Sequence, residues 1–92
     1  MKKYEVRISK KALKQLEKMD KPTQKVIRAW INKNLVGTEN PRQYGKALEG
    51  NLSDKWSYRL GNYRILAEIY DDEIMIFIFA LGHRREIYKN QK

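Results

Sequence analysis

Tyr4, Val6 and Ile8 alternate with Glu5 and Arg7, the two-residue period of a half-buried strand. Ser9 is placed to cap a helix over about Lys10 to Met19. In that helix Ala12, Leu13, Leu16 and Met19 fall on one face, with Lys10, Lys11, Lys14 and Lys18 away from it. Pro22 suits the first turn of a second helix. Val26, Ile27, Trp30, Ile31 and Leu35 form its apolar stripe, and Gly37 ends it. Two helices joined by a few residues make a hairpin, in which Trp30 reads as core. From Thr38 to Asp54 the signals Asn40-Pro41, Gly45, Gly50, Asn51 and Ser53 predict a loop, anchored on the core by Ala47-Leu48. Three strands follow, near 55–60, 63–70 and 73–81, then a short carboxy-terminal segment. The order of periods predicts an α+β fold: one small domain over residues 1–92, with an N-terminal strand and a two-helix hairpin packed on a mainly antiparallel sheet.

The turns between the strands set which side chains share a face. Gly61-Asn62 has the chemistry of a two-residue type II′ turn. It pairs Leu60 with Tyr63, Arg59 with Arg64 and Tyr58 with Ile65. Like charges directly opposite one another destabilise a sheet, and a natural use for such a pair is to hold an anion. If Asp71-Asp72 is also a two-residue turn, Tyr70 pairs with Glu73, Leu66 with Phe77 and Arg64 with Phe79. One face then carries Trp56, Tyr58, Ile65, Ala67, Ile69, Ile74, Ile76 and Ile78, for the helices to cover. The other carries Arg59, Arg64, Leu66, Glu68, Met75, Phe77 and Phe79, apolar towards one end and cationic at the other. The apolar half suggests a protein partner. Gly82 is expected to break the last strand and release His83, Arg84 and Tyr88 near Arg59 and Arg64.

Charge and composition narrow the classes. The chain has 92 residues and a net charge of +9. Its first 33 residues hold 11 Lys and Arg against Glu5, Glu17 and Asp20, whereas the remainder is close to balanced. A basic amino-terminal surface points to a polyanion, foremost nucleic acid, which makes Lys10, Lys11, Lys14 and Lys18 candidate RNA-binding residues. A solvated lysine-rich face, or an acidic protein partner, would also account for it. With no cysteine there is no disulfide, thiolate catalysis or Cys-based zinc site. No apolar run is long enough for a transmembrane helix, and the opening strand is not a signal sequence. A cytoplasmic protein without membrane contact is expected.

Three stretches together carry a resemblance: Gly45-Lys46-Ala47-Leu48-Glu49-Gly50, Trp56-Ser57-Tyr58-Arg59-Leu60-Gly61-Asn62-Tyr63-Arg64-Ile65, and Gly82-His83-Arg84-Arg85-Glu86-Ile87-Tyr88. In this order and at this length the chain resembles the RelE/ParE superfamily, the toxins of bacterial type II toxin–antitoxin systems, over essentially its whole extent. The resemblance implies a toxin that cleaves messenger RNA in the ribosomal A site and is silenced by an antitoxin wrapped around it. Its implied partners are a cognate antitoxin, the ribosome and mRNA. By position, Arg59 matches a basic site residue, Arg64 the core arginine, Arg84 the carboxy-terminal arginine and Tyr88 the tyrosine near the end of RelE-type toxins. His83 falls where some relatives keep a histidine and others a lysine. Lys46 and Glu49 lie in the loop where other branches place acidic or basic site residues. There is one departure: Ser57 stands where RelE has the first lysine of a lysine-rich strand, which leaves the proton acceptor unassigned.

RNA cleavage by the 2′-hydroxyl needs a base, cations to hold the phosphorane charge, and help for the leaving 5′-oxygen. A single histidine excludes a two-histidine nuclease, and scattered acids without cysteine make a poor metal cage. The expected site therefore takes no metal or other cofactor and relies on guanidinium groups. Arg59, Arg64 and Arg84 would clamp the non-bridging oxygens, His83 would donate or relay a proton, and Tyr88 would stack on a base or join the proton transfer. Each has a plain alternative. The arginines could pair with Glu68 or with chain carboxylates, His83 could be a surface turn residue, Tyr88 could pack on the sheet edge, and Lys46 and Glu49 could be solvated. The rival function is a ParE-like, non-enzymatic inhibitor of DNA gyrase, which the same fold would support. A third is a basic RNA-binding module with no catalysis.

Overall fold

The structure, a computed structural model, describes residues 2–48 and 55–83. Within them the chain runs β1 (Glu5–Ile8), α1 (Lys10–Glu17), α2 (Lys21–Asn34), β2 (Lys46–Ala47), β3 (Lys55–Leu60), β4 (Tyr63–Tyr70) and β5 (Met75–His83). The five strands form one sheet in the order β1-β5-β4-β3-β2. Every pairing is antiparallel except that of β1 with β5, which is parallel. The expected α+β arrangement of helices on a mainly antiparallel sheet is what the chain adopts.

Both helices start on side-chain caps. The Ser9 hydroxyl accepts from the Ala12 amide at 3.0 Å, and the Asp20 carboxylate accepts from the Thr23 amide at 3.4 Å and the Thr23 hydroxyl at 2.6 Å. Such a cap is worth about 1 kcal/mol of helix stability. The helices bury Ala12, Leu16, Ile27, Ile31 and Leu35 against Tyr58, Ile65, Ala67, Ile69, Ile76, Ile78 and Leu81 on one sheet face. Val26, expected in the apolar stripe, is instead 57% exposed, whereas Trp30 is half-buried and packs on the core.

The first hairpin follows the predicted register, with Arg59 opposite Arg64 and Gly61 at a φ of +60°. The second does not. Its turn takes four residues, Asp71 to Ile74, closed by the Glu73 amide on the Tyr70 carbonyl and the Ile74 amide on the Asp71 carbonyl. Ile74 bears the strain, at a φ of +51°. Tyr70 therefore pairs with Met75, Leu66 with Ala80 and Arg64 with Gly82, in place of Glu73, Phe77 and Phe79. Two extra turn residues preserve the faces. A bulge at Phe79, between the Ala67–Ile78 and Leu66–Ala80 pairs, then flips them beyond that point. Helix α1 holds this irregular stretch: the Ser9 hydroxyl donates to the Phe79 carbonyl at 3.3 Å, and the Gln15 amide oxygen accepts from the Leu81 amide at 2.9 Å.

Two further expectations are corrected. Gly82 does not end the last strand, which runs on through His83. Leu66 is not an exposed partner-binding residue, because Leu48 and Phe79 pack over it and Ala80 on the outer face of the sheet. Part of the predicted loop is also strand, and the anchor at Leu48 rests on this second, smaller cluster rather than on the main core.

Candidate functional site

The outer sheet face grades from mixed to cationic. Nearest the β4–β5 turn it carries Tyr70 and Met75, then Lys55, Glu68 and Phe77, then Ser57, Leu66 and Ala80, then Arg59, Arg64 and Gly82. Glu68 is engaged away from the arginines: it forms an ion pair with Lys55 and accepts from the Tyr70 hydroxyl at 2.6 Å. These two bonds, Lys55 first, hold its carboxyl below the usual range. The alternative in which Glu68 neutralises Arg59 or Arg64 is thereby set aside.

Arg59 and Arg64 line a cleft of about 240 Å³ together with Gly45, Lys46 and Ser57. Arg59 is exposed and Arg64 half-buried. Gly82 opposite Arg64 has no side chain to close the space above it. Lys46 arrives from β2, where it pairs with Ser57. A two-residue strand has no periodicity to read, and the sequence pattern predicts a loop there. Gly45 makes the approach possible: its φ is +74°, and a Cβ there would lie 2.2 Å from the Ser57 carbonyl oxygen. The cleft therefore gathers three cationic side chains and a hydroxyl, an arrangement suited to a phosphodiester.

The segment leading to β2 is tightly held. The buried Tyr58 donates its hydroxyl to the Pro41 carbonyl at 2.6 Å, and Trp56 donates Nε1 to the Tyr44 carbonyl at 2.6 Å. Burial pushes the Tyr58 phenol well above its ordinary pKa, so it stays a neutral donor. Arg42 reaches Asp71 with two nitrogens. Composition gives no hint of this role for Arg42, since its partner lies across the fold in a turn.

The family model for the ParE toxin of type II toxin–antitoxin systems, parDE, matches residues 6–88. The chain belongs to this toxin family, within the RelE/ParE superfamily. Among curated relatives, Toxin RelG of Mycobacterium tuberculosis is 35% identical over 52 residues, covering 56% of this chain and 60% of RelG. A chain of the toxin–antitoxin complex RelBE2 of the same organism superposes with a TM-score of 0.78 at 28% identity, covering 94% of this toxin and 97% of that chain. The isolated Escherichia coli RelE toxin shares the fold with a TM-score of 0.71 at 23% identity, over 95% and 93% of the two chains.

Of the residues that the sequence singles out in this toxin, the structure brings Arg59, Arg64 and Lys46 together. It does not bring His83 to them. His83 pairs with Tyr63, and the two rings meet edge to face at 5.8 Å. Tyr63 packs on the helix-facing side of the sheet, opposite to its neighbour Arg64. The bulge at Phe79 is the physical reason, since it reverses the facing of every later residue of β5. Glu49, Arg84 and Tyr88 lie outside the described residues. Lys10, Lys11, Lys14 and Lys18 are all exposed. Among the described residues no three acids, histidines or cysteines form a group that could hold a metal ion, and no helix is long and apolar enough to cross a membrane.

Proposed function

We propose that this toxin is an endoribonuclease that cleaves messenger RNA on the ribosome, in the A site, and is silenced by a cognate antitoxin. The observation that carries this is the cleft that places Arg59, Arg64 and Lys46 around Ser57. The 2′-oxygen attacks phosphorus as its proton passes to a base, the phosphorane gathers charge on its non-bridging oxygens, and the P–O5′ bond breaks as the 5′-oxygen takes up a proton, leaving a 2′,3′-cyclic phosphate and a 5′-hydroxyl. The two guanidinium groups and the ammonium stabilise that charge. Arg84 and Tyr88 belong to the same site on this reading, through their likeness to RelE-type positions, and Glu49 joins them from the segment after β2. His83 has an indirect part, because its ring packs on Tyr63 rather than facing the cleft. Structural neighbours that are toxin–antitoxin complexes, among them RelBE2, support the antitoxin as partner.

A second reading has its own support. The matching family model is that of the ParE toxin, whose branch includes non-enzymatic inhibitors of DNA gyrase. The two are separated by inducing the full chain in cells, then running primer extension on cellular messages beside a plasmid supercoiling assay. New 5′ ends with unchanged supercoiling are the expected outcome. Altered supercoiling with intact messages would overturn the nuclease in favour of the gyrase inhibitor.

A further inference from the structure

Asp71, in the turn between β4 and β5, receives two nitrogens of Arg42 at 3.0 Å each and the Tyr4 hydroxyl at 2.6 Å. A fork of two parallel bonds fixes direction as well as distance. The turn and Arg64 stand at opposite ends of β4, roughly 20 Å apart at ~3.3 Å per residue. Arg42 also lies over the Trp56 ring, 5.9 Å from its centre. Trp56 and Tyr58 in turn hold the Tyr44 and Pro41 carbonyls. Four side chains thus fix a strap from Pro41 to Tyr44, and the next residues of that strap are Gly45 and Lys46. Among the described residues strand β2 contributes the pairs Lys46–Ser57 and Ala47–Trp56 and one bond beyond them, from the Leu48 amide to the Lys55 carbonyl, a short ladder against the entropy of ordering it unaided.

We propose that Arg42 is a positioning residue for the cleft: locked by Asp71 and seated on Trp56, it holds the strap that delivers Lys46 beside Arg59 and Arg64. What Lys46 does there rests on the nuclease reading, but its placement can be measured without activity. The Leu48 amide donates to the Lys55 carbonyl at 2.9 Å, so its hydrogen exchange reports whether β2 is docked. In the full chain, Asp71→Asn and the milder Arg42→Lys should each speed exchange at Leu48, by about ten-fold for Asp71→Asn. Amides of β4 and β5 should keep their protection. An unchanged Leu48 rate, or a rise of the same size throughout the sheet, would overturn the proposal. Cleavage on programmed ribosomes supplies the second arm. Asp71→Asn should lower kcat in the native background and have no further effect where Lys46 is already alanine. Equal losses in both backgrounds would show that the clamp does not act through Lys46. A native chain that cleaves no message would sink the nuclease reading, and the exchange measurement would still decide the placement.

Discussion

Arg59 and Arg64 face each other across a hairpin at some cost to the sheet, and this makes their role separable from stability. Arg64→Ala should reduce message cleavage by about 10²–10³, the usual loss on removing one preorganised charge donor. Arg59→Ala should weaken cleavage less and leave the thermal midpoint equal or higher, because one of two opposed charges is gone. Melting curves beside cleavage rates check both. A fall in stability as large as the fall in activity would mean that the pair holds the fold. Asp71 behaves in the opposite way. Arg42 first, then Tyr4, depresses its pKa, so its contribution is present above the ordinary aspartate range and is lost as pH falls through the depressed value. Asp71→Asn should therefore destabilise the protein at about pH 7 and progressively less as the pH is lowered below the ordinary aspartate range. Urea melts across a pH series test the sign.

Among the elements, β3 and β4 were legible because their turn is. The Gly61-Asn62 turn sets the register, and with it Arg59 stands beside Arg64. The Asp71-Asp72 signal is weaker, and two things escape it. Ile74 accepts a left-handed φ in a four-residue turn, which a β-branched residue rarely does, and Phe79 is bulged, its carbonyl held by the Ser9 hydroxyl at the start of α1. Both depend on tertiary contacts, so the misplacement of His83 has a definite cause. Strand β2 was illegible for another reason: two residues carry no period, and their place is set by Gly45 packing on Ser57. Gly45→Ala should thus displace Lys46 and lower cleavage as far as Lys46→Ala does, while β3, β4 and β5 keep their order. Amide exchange and cleavage rates on the same variant check this.

At the scale of the molecule, charge sits where the helices would otherwise avoid it. Neither helix has an acid in its first turn, and lysines stand there instead, Lys10 and Lys11 in α1 and Lys21 in α2. Cations at the amino end oppose the helix dipole, a small penalty consistent with a surface kept for a polyanion. Reversing Lys10, Lys11, Lys14 and Lys18 to glutamate should weaken ribosome binding and flatten its salt dependence, as loss of phosphate contacts does. Binding unchanged across salt would leave those lysines a solubility role. The parallel pairing of β1 with β5 bears on a different matter, the birth of the toxin. Glu5 waits for Met75 and Ile8 for Ile78, so the edge of the sheet cannot close until nearly the whole described chain has left the ribosome. Such distant partners make folding late and comparatively slow. On the nuclease reading, a half-made copy is then harmless to the machine that is making it.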